Sequence, residues 1–169
     1  ISNHLPGAIF PLGTTAVIYD ATDAAGNFST CAFDVTIVDT EAPVISNCPA
    51  DISASAEPGV CEASISWTPP TASDNCGVAS FISNHLPGAI FPLGTTAVIY
   101  DGTDAAGNFS TCAFDVTIAD TEAPVILNCP ADISASAEPG ICEAAISWTP
   151  PTASDNCGVA SFISNHLPG

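Results

Sequence analysis

The chain repeats itself with a period of 81 residues, and this repeat constrains the fold more than any other feature. Shifting the sequence by one period places Ile1 on Ile82, and Ile82 on Ile163. The aligned positions that differ are Ala21/Gly102, Val38/Ala119, Ser46/Leu127, Val60/Ile141 and Ser64/Ala145. The sequence is therefore two periods of one small module plus a seven-residue overlap, ISNHLPG.

All eight cysteines keep the register of the repeat. The equivalent positions are Cys31 and Cys112, Cys48 and Cys129, Cys61 and Cys142, and Cys76 and Cys157. A module of this size has a small core, which disulfides commonly stabilise. Because no CxxC pair and no Cys/His cluster with zinc-ligand spacing is present, the cysteines predict disulfides in an oxidising compartment. We therefore expect an extracellular or cell-surface protein.

The chain contains 18 acidic residues and no lysine or arginine. Without cationic side chains it has no group that could neutralise phosphates, which excludes nucleic acid as a partner. The same sign of charge disfavours anionic membrane surfaces, and no apolar run is long enough for a membrane span. Water, backbone N–H groups or dissolved calcium must balance the carboxylates, unless the charge serves solubility alone.

Alternating apolar residues predict β-strands in the first part of the complete module. Residues 52–56 alternate with period two, and so do residues 61–67, which end in Trp67. A Glu-Pro-Gly turn separates these two strands, and a double proline ends the second one. We read residues 71–77 as a loop, 78–83 as a short strand and 84–94 as a long connection.

The second part of the module predicts a β-hairpin. Val98 and Tyr100 share one face of the first strand, and the turn lies in the AAGN stretch. The inward residues of the returning strand are Cys112, Phe114, Val116 and Ile118. No segment has a helical period with caps. The pattern predicts an all-β chain of tandem antiparallel β-sandwich repeats with immunoglobulin-like architecture.

Several motifs resemble those of the hyalin repeat, or HYR, family. They are NCP at 47–49, W-x-x-P at 67–70, DNCG at 74–77, FPLGTT at 91–96, Y-x-x-TD-x-x-GN at 100–108 and TCAF at 111–114. They cover the whole module in the family's order. The resemblance implies immunoglobulin-like β-sandwiches in tandem arrays with roles in adhesion or extracellular matrix, and it implies no catalysis.

The repeat boundaries follow from the module. Residues 39–120 form a complete repeat, 1–38 the C-terminal half of a preceding one and 121–169 the N-terminal half of the next. We expect these halves to be completed either by a continuing chain or by head-to-tail exchange between chains, and continuation is simpler. The DTEAPV joint is short and fixed by Pro43 or Pro124, which predicts a stiff rod and an open filament.

Strand order favours one disulfide scheme. The first and last strands of an immunoglobulin-like sandwich run parallel as neighbours, which favours Cys48–Cys112 and leaves Cys61–Cys76. The HYR resemblance points the same way. In the next repeat this scheme predicts Cys142–Cys157, while Cys31 and Cys129 pair outside the sequence or with a neighbouring chain. The alternative is Cys48–Cys76 with Cys61–Cys112.

Two kinds of glycosylation site are predicted. Asn27 and Asn108 begin Asn-Phe-Ser sequons in the hairpin turn. Hydroxyls around the double proline are candidates for O-linked sugar, or belong to an ordinary polar loop. These are Thr68, Thr71, Ser73, Thr149, Thr152 and Ser154.

Calcium is the candidate metal, although no cofactor is required. The linker and two loops should meet at one end of the sandwich, which brings together Asp39, Glu41, Asp74 and Asp104. No EF-hand spacing is present.

The sequence as a whole predicts a structural protein without enzymatic activity. We expect a glycosylated extracellular fibre or stalk of HYR repeats whose partners are copies of itself, joined head to tail. The alternative is the spacer region of a cell-surface adhesin whose ligand-binding domain lies elsewhere. His85 lies in an NHLPG connection and reads as a turn residue rather than a catalytic base.

Overall fold

The computed structural model describes residues 2–166, and the elements in this part of the chain are all β-strands. The strands are β1 (Gly13–Thr22), β2 (Phe28–Ile37), β3 (Val44–Ser46), β4 (Ile52–Ser55), β5 (Glu62–Ile65), β6 (Thr71–Ser73), β7 (Val78–Ser83), β8 (Ala89–Pro92), β9 (Gly94–Asp104), β10 (Phe109–Ala119), β11 (Val125–Leu127) and β12 (Thr152–Ser154). The predicted all-β tandem-repeat fold is confirmed.

A four-stranded sheet with the order β4-β10-β9-β7 runs through the central repeat. β4 pairs with β10 in parallel, from Ile52 opposite Val116 to Ser55 opposite Ala119. β7 pairs with β9 antiparallel, with a register shift between Val78 and Ser80. The parallel pairing of an early strand with the last strand is the neighbour relation on which the expected Cys48–Cys112 disulfide depends.

Two short antiparallel ladders accompany this sheet in the central repeat. β5 pairs with β8, and β3 pairs with β6. Both involve segments that the sequence pattern predicts as a loop, residues 71–77, and as a connection, residues 84–94. In β8 the burial alternates around Phe91, which is 1% exposed, although a proline ends the strand. A strand of only three or four residues leaves too short an alternation to be distinguished from a connection.

The first copy supplies the hairpin β1–β2, with Gly13 opposite Ile37 and Thr22 opposite Phe28. Its turn closes with a hydrogen bond from Asp23 N to Asn27 O of 2.9 Å. In the last copy, β11 pairs antiparallel with β12. This pair corresponds to β3 and β6, one period earlier in the sequence.

The chain divides into two compact units. Unit 1 contains residues up to Cys48, Pro70–Ser83 and Tyr100–Cys112; unit 2 contains Pro49–Pro69, Asn84–Ile99 and the residues from Ala113 onward. β9 and β10 contribute residues to both units. The predicted repeat boundaries follow sequence equivalence rather than compactness, and they stay a prediction.

The core of unit 2 is built on the predicted inward faces. Phe114, Val116 and Ile118 of β10 are at most 4% exposed, and Val98 of β9 is fully buried. The Trp67 ring packs edge-on against Phe114, with ring centroids 5.4 Å apart, and against Phe91 at 6.1 Å. Aromatic pairs at these distances and angles are favourable beyond the area that they bury.

The core of unit 1 gathers around Tyr100, which is 5% exposed and packs against the Phe81 ring at 5.6 Å. Gly102 lies two residues along the same face and is buried. A Cβ atom at Gly102 would lie 3.6 Å from both Phe81 and Pro43, which is ordinary van der Waals contact. This inward position therefore accepts the alanine that the other copy carries at position 21.

Candidate functional site

Two disulfides join cysteines of the described chain, and the first lies within one repeat. Cys48 is bonded to Cys112, with a Cα–Cα distance of 5.9 Å. Asn47, just before Cys48, has a φ of 60°, and its copy Asn128 has a φ of 59°. Asparagine tolerates this left-handed conformation better than most residues, because its short side chain can bond locally to the backbone. In the NCP motif, the cysteine therefore follows directly after a residue with a left-handed backbone conformation.

The second disulfide joins two successive repeats. It connects Cys61 with Cys157, whose Cα atoms are 5.1 Å apart, and Cys157 is the copy of Cys76. Strand order favoured the pairs Cys61–Cys76 and Cys142–Cys157. Neither is formed in the structure, because Cys61 is bonded to Cys157 instead. The alternative scheme of Cys48–Cys76 with Cys61–Cys112 is not formed either.

The contacts around Cys61 give the physical reason for this difference. The Asn156 side chain donates a hydrogen bond of 2.9 Å to the Val60 carbonyl, and Gly59 N donates to Glu122 Oε2 at 3.1 Å. The turn before β5 therefore contacts the linker and the DNCG loop of the next repeat, all within unit 2. Strand order within a single repeat does not encode this pairing, which depends on a contact with the next repeat.

The other cysteines of the described residues, Cys31, Cys76, Cys129 and Cys142, are exposed and unpaired. Cys76 has acidic neighbours in unit 1. Partial desolvation raises the pKa of the Cys76 thiol. Its hydrogen bond to Asp39 and the charges of Asp39, Asp74 and Asp104 raise this pKa further. Negative charges nearby disfavour the thiolate, so this thiol ionises with difficulty.

The predicted metal ligands come together only in part. Ligand atoms of Asp39, Asp74 and Cys76 lie within 4.8 Å of one another, and Asp120, Asp155 and Cys157 repeat this arrangement in unit 2. The Glu41 side chain is not in the group; Glu41 contributes a backbone N–H, which donates to Asp39 Oδ1 at 3.1 Å.

Asp104, the remaining expected ligand, serves the hairpin turn instead. It is 4% exposed and accepts hydrogen bonds from Asn108 N at 2.8 Å and Asn108 Nδ2 at 2.7 Å. Burial raises the pKa of Asp104, but these bonds and those from Gly107 and Ala106 outweigh it, so that the pKa is lowered overall. Calcium prefers six to eight oxygen ligands, and two carboxylates beside a sulfur atom form an incomplete set.

The two sequon asparagines differ in their contacts. Asn108 Nδ2 donates to Asp104 Oδ2 and, at 3.2 Å, to the Asp39 carbonyl, which uses both of its N–H groups. Asn27 Nδ2 donates to Asp23 Oδ2 at 2.8 Å, on an exposed turn. A glycan occupies one N–H of the amide nitrogen, so it would displace a structural bond at Asn108. Glycosylation at both positions stays a prediction.

The candidate hydroxyl residues for O-linked sugar are accessible. All of them are exposed, and four lie on β6 or β12 rather than in a loop. They are Thr68, Thr71, Ser73, Thr149, Thr152 and Ser154.

Apolar side chains of the flanking copies are exposed where the equivalent residues of the central repeat are buried. Phe114 is 4% exposed, whereas its copy Phe33 is 50% exposed. Ile118 is 2% exposed, whereas Ile37 is 38% exposed. The inward face of β1–β2 thus has the composition of a core, although solvent reaches it.

Comparison with known proteins decides the family. The HYR domain family matches three consecutive segments, residues 1–37, 38–118 and 119–169. The chain belongs to the HYR domain family.

Two HYR relatives are named hyalin. The chain is 41% identical to hyalin of Strongylocentrotus purpuratus over 172 aligned residues, which cover 97% of the chain and 14% of that protein. It is 38% identical to hyalin of Lytechinus variegatus, over 94% of the chain and 31% of that protein. A third relative is the sushi, von Willebrand factor type A, EGF and pentraxin domain-containing protein 1 of Rattus norvegicus, 38% identical over 67% of the chain and 3% of that protein.

The chain therefore spans less than a third of the length of these HYR relatives. The described residues include no helix that is long and apolar enough to cross a membrane. The sequence motifs found the family correctly. The cysteines recur in every repeat, so a comparison of cysteines across consecutive repeats could have indicated the Cys61–Cys157 pair from the sequence.

Proposed function

We propose that the chain is part of an extracellular structural protein, a fibre or stalk of HYR repeats joined head to tail. The observation that carries this proposal is the difference in burial between equivalent residues of the central and flanking copies. Phe114 and Ile118 are buried and their copies Phe33 and Ile37 are open, although Val17 of the first copy is buried like Val98, and this contrast supports completion by further copies. The proposal includes no catalysis.

The inward face of β1–β2 is one side of this completion. Tyr19 is 39% exposed, and its equivalent Tyr100 is 5% exposed. In the central repeat the equivalent hairpin has β4 and β7 at its edges, and β1–β2 forms a sheet of two strands. The segment that would cover it has the chemistry of residues 44–83, the first half of an HYR repeat.

A cavity of about 660 Å³ in unit 2 is the second place where a further copy could complete a repeat. It is lined by Ile126, Trp148 and Phe162 among others. Trp148 is the copy of Trp67, which packs on Phe91 and Phe114 in the central repeat. The segment that would fill this cavity has the chemistry of β8 and β10.

The completing half is proposed to come from the next repeat of a longer chain, and exchange between chains is the alternative outcome. Sedimentation velocity of the 169-residue chain over a range of concentrations tests whether the open faces are complementary. At pH 5, where thiols are protonated and disulfide exchange is slow, we expect concentration-dependent linear association.

A matched pair of variants makes this test specific. Phe33 and Phe28 lie on opposite faces of β2, and the central copies of these residues are 4% and 72% exposed. Phe33→Ser should abolish the association, and Phe28→Ser should leave it unchanged. A wild-type chain that remains monomeric, or equal effects of the two variants, would overturn the proposal of complementary halves.

A second candidate function is supported by the third relative, whose name combines several other domain types. In that case the HYR repeats would be a spacer in a cell-surface adhesin. Electron microscopy of the full-length protein separates the two functions. Uniform filaments with a regular axial repeat support the fibre, and a stalk ending in a distinct globular domain supports the spacer.

Covalent glycans and calcium are further parts of the proposal. The exposed hydroxyls of β6 and β12 and the sequon at Asn27 support a sugar coat, and intact mass before and after deglycosylation measures it.

The Asp39–Asp74 pair supports weak calcium binding. Titration calorimetry measures this binding, and the Asp74→Asn variant is the control. If the wild-type chain shows no heat of calcium binding, calcium is removed from the proposal.

A further inference from the structure

The Cys61–Cys157 disulfide follows a rule that extends beyond the described pair. Cys61 and Cys157 are 96 positions apart, and Cys48 and Cys112 are 64 positions apart. Since the repeat period is 81, the first separation is longer than one repeat and the second is shorter. One disulfide therefore closes a single module, and the other joins two modules.

The same two separations account for the unpaired cysteines. Counting back 64 positions from Cys31, or 96 from Cys76, leads to a position before residue 1. Counting forward 64 positions from Cys129, or 96 from Cys142, leads beyond residue 169. By the rule, the partners of Cys31 and Cys129 belong to the same repeats as these two cysteines, and the partners of Cys76 and Cys142 belong to flanking repeats.

We propose that Cys61–Cys157 is one member of a periodic series of inter-repeat disulfides, and that Cys76 and Cys142 are sites for covalent attachment of flanking HYR repeats. The partner is another copy of this repeat. Cys76 receives the Cys61-type thiol of the preceding repeat, and Cys142 attaches to the Cys76-type thiol of the following one. The proposal requires tandem repeats but not a fibre, so it can stand if the proposed function fails.

The junction in unit 2 is built for this bond. The hydrogen bonds Asn156–Val60 and Gly59–Glu122 hold the two loops together independently of the sulfur atoms. Cys61 Sγ also lies 3.1 Å from the Asn156 carbonyl oxygen. Because Glu122 and Asn156 have copies at Glu41 and Asn75, the other joint offers the same groups around Cys76.

Formation of each bond is a two-electron oxidation. Two thiols lose two protons and two electrons, the new S–S bond forms, and the disulfide of an oxidising thiol–disulfide reagent is reduced to two thiols. Glutathione disulfide, or an equivalent protein disulfide in a secretory compartment, is the class of oxidant required.

Cleavage by a glutamyl endopeptidase identifies the pairing in the oxidised 169-residue chain. Cuts after Glu41, Glu62, Glu122 and Glu143 place Cys61 in fragment 42–62 and Cys157 in fragment 144–169. Without reduction, mass spectrometry should find 144–169 linked to 42–62, which is itself linked to 63–122 through Cys48–Cys112. A link between 144–169 and 123–143 would show that Cys157 pairs with Cys129 or Cys142 of its own repeat and would overturn the proposal.

A pair of matched variants provides a second readout. Cys61 and Cys142 are the same position in two copies, so Cys61→Ser should expose the Cys157 thiol to N-ethylmaleimide, and Cys142→Ser should not. The unpaired thiols of the wild-type monomer should number four. If Cys142→Ser frees Cys157, or if only Cys31 and Cys129 react in the wild type, the pairing lies within repeats and the series does not exist.

Extension of the chain by one further repeat after residue 169 tests the periodicity itself. In this longer chain Cys129 and Cys142 should become protected from N-ethylmaleimide, and Cys31 and Cys76 should stay reactive. Continued reactivity of Cys142 in the longer chain would show that the described bond is a single event rather than a series.

Discussion

At the scale of single residues, one amide connects the hairpin turn of the central repeat with the linker that precedes it. Asn108 Nδ2 donates to the Asp104 carboxylate and to the Asp39 carbonyl. Ser110 Oγ donates in addition to the carbonyl of Pro43, which belongs to the same linker. A sequon thus carries structural hydrogen bonds at both its first and third positions. The linker is held by these bonds as well as by its proline.

We expect Asn108→Ala to destabilise the chain more than Asn27→Ala. The two residues are copies, but only Asn108 has a described bond to a linker carbonyl, and one such bond contributes about 1 kcal/mol to the free energy of unfolding. Urea denaturation of both variants measures the difference. Equal losses would show that the Asp39 bond contributes nothing.

Gly102→Ala should stabilise the central repeat by about 0.5–1 kcal/mol, because alanine reduces the entropy of the unfolded chain and its Cβ meets neighbours at van der Waals distance. Gly102 has no left-handed φ that alanine would oppose. The midpoint of urea denaturation measures the change, and Ala21→Gly provides the reverse control. A lower midpoint for Gly102→Ala would mean that the contact with Pro43 or Phe81 is too tight.

The acidic neighbours of Cys76 predict slow alkylation. Because partial desolvation and Asp39 raise the pKa of this thiol, the rate of its reaction with iodoacetamide should rise at higher pH than that of an ordinary cysteine. Asp39→Asn should lower the pKa and speed the reaction at pH 8, while the copy substitution Asp120→Asn should not affect Cys76. The rate of modification of Cys76, followed by mass spectrometry, gives the answer. An unchanged rate in Asp39→Asn would contradict the assigned cause.

At the scale of elements, the alternating faces of β9 and β10 were predictable residue by residue. The inward residues of β10 in the sequence reading are the ones that the structure buries, because a long strand with one buried face leaves a clear period of two. β6 and β8 were missed, because they are only three or four residues long and lie beside prolines. The Cys61–Cys157 pair depends on a contact between consecutive repeats, which the pattern within one strand does not encode.

The strands β10 and β2 have nearly the same sequence but different surroundings, which leads to a prediction. Phe114→Ala should cost about 3–5 kcal/mol of unfolding free energy, as for a fully buried phenylalanine. The copy substitution Phe33→Ala should cost clearly less in the monomeric chain, because half of that side chain is exposed. Chemical denaturation at low protein concentration compares the two. Equal costs would indicate that the face of β1–β2 is covered in solution.

At the scale of the whole molecule, the two disulfides enclose overlapping stretches of the sequence. The loop closed by Cys61 and Cys157 begins inside the loop closed by Cys48 and Cys112 and extends past it into the next repeat. The linker around Glu122 lies only in the longer loop. The connection between consecutive repeats is therefore double, through the backbone and through sulfur.

Limited proteolysis at the linker provides a test at this scale. A single cut after Glu122 should leave the chain as one species on a non-reducing gel and as two fragments after reduction. Cys157→Ser is the control, since it should give two fragments under both conditions. Two fragments from the unreduced wild-type chain would show that the linker is the only covalent connection between the repeats.

The overlapping loops also determine how an array with this pairing responds to tension. From Cys142 to Cys157 the backbone has 15 residues, and in the proposed series a disulfide at each end would carry the force to the adjacent repeats. Such a path extends to about 50 Å per repeat, whereas 81 free residues would extend to about 280 Å. Unfolding a repeat would release little length, so the array would resist stretching as a tether of fixed reach rather than absorb energy as an elastic spring.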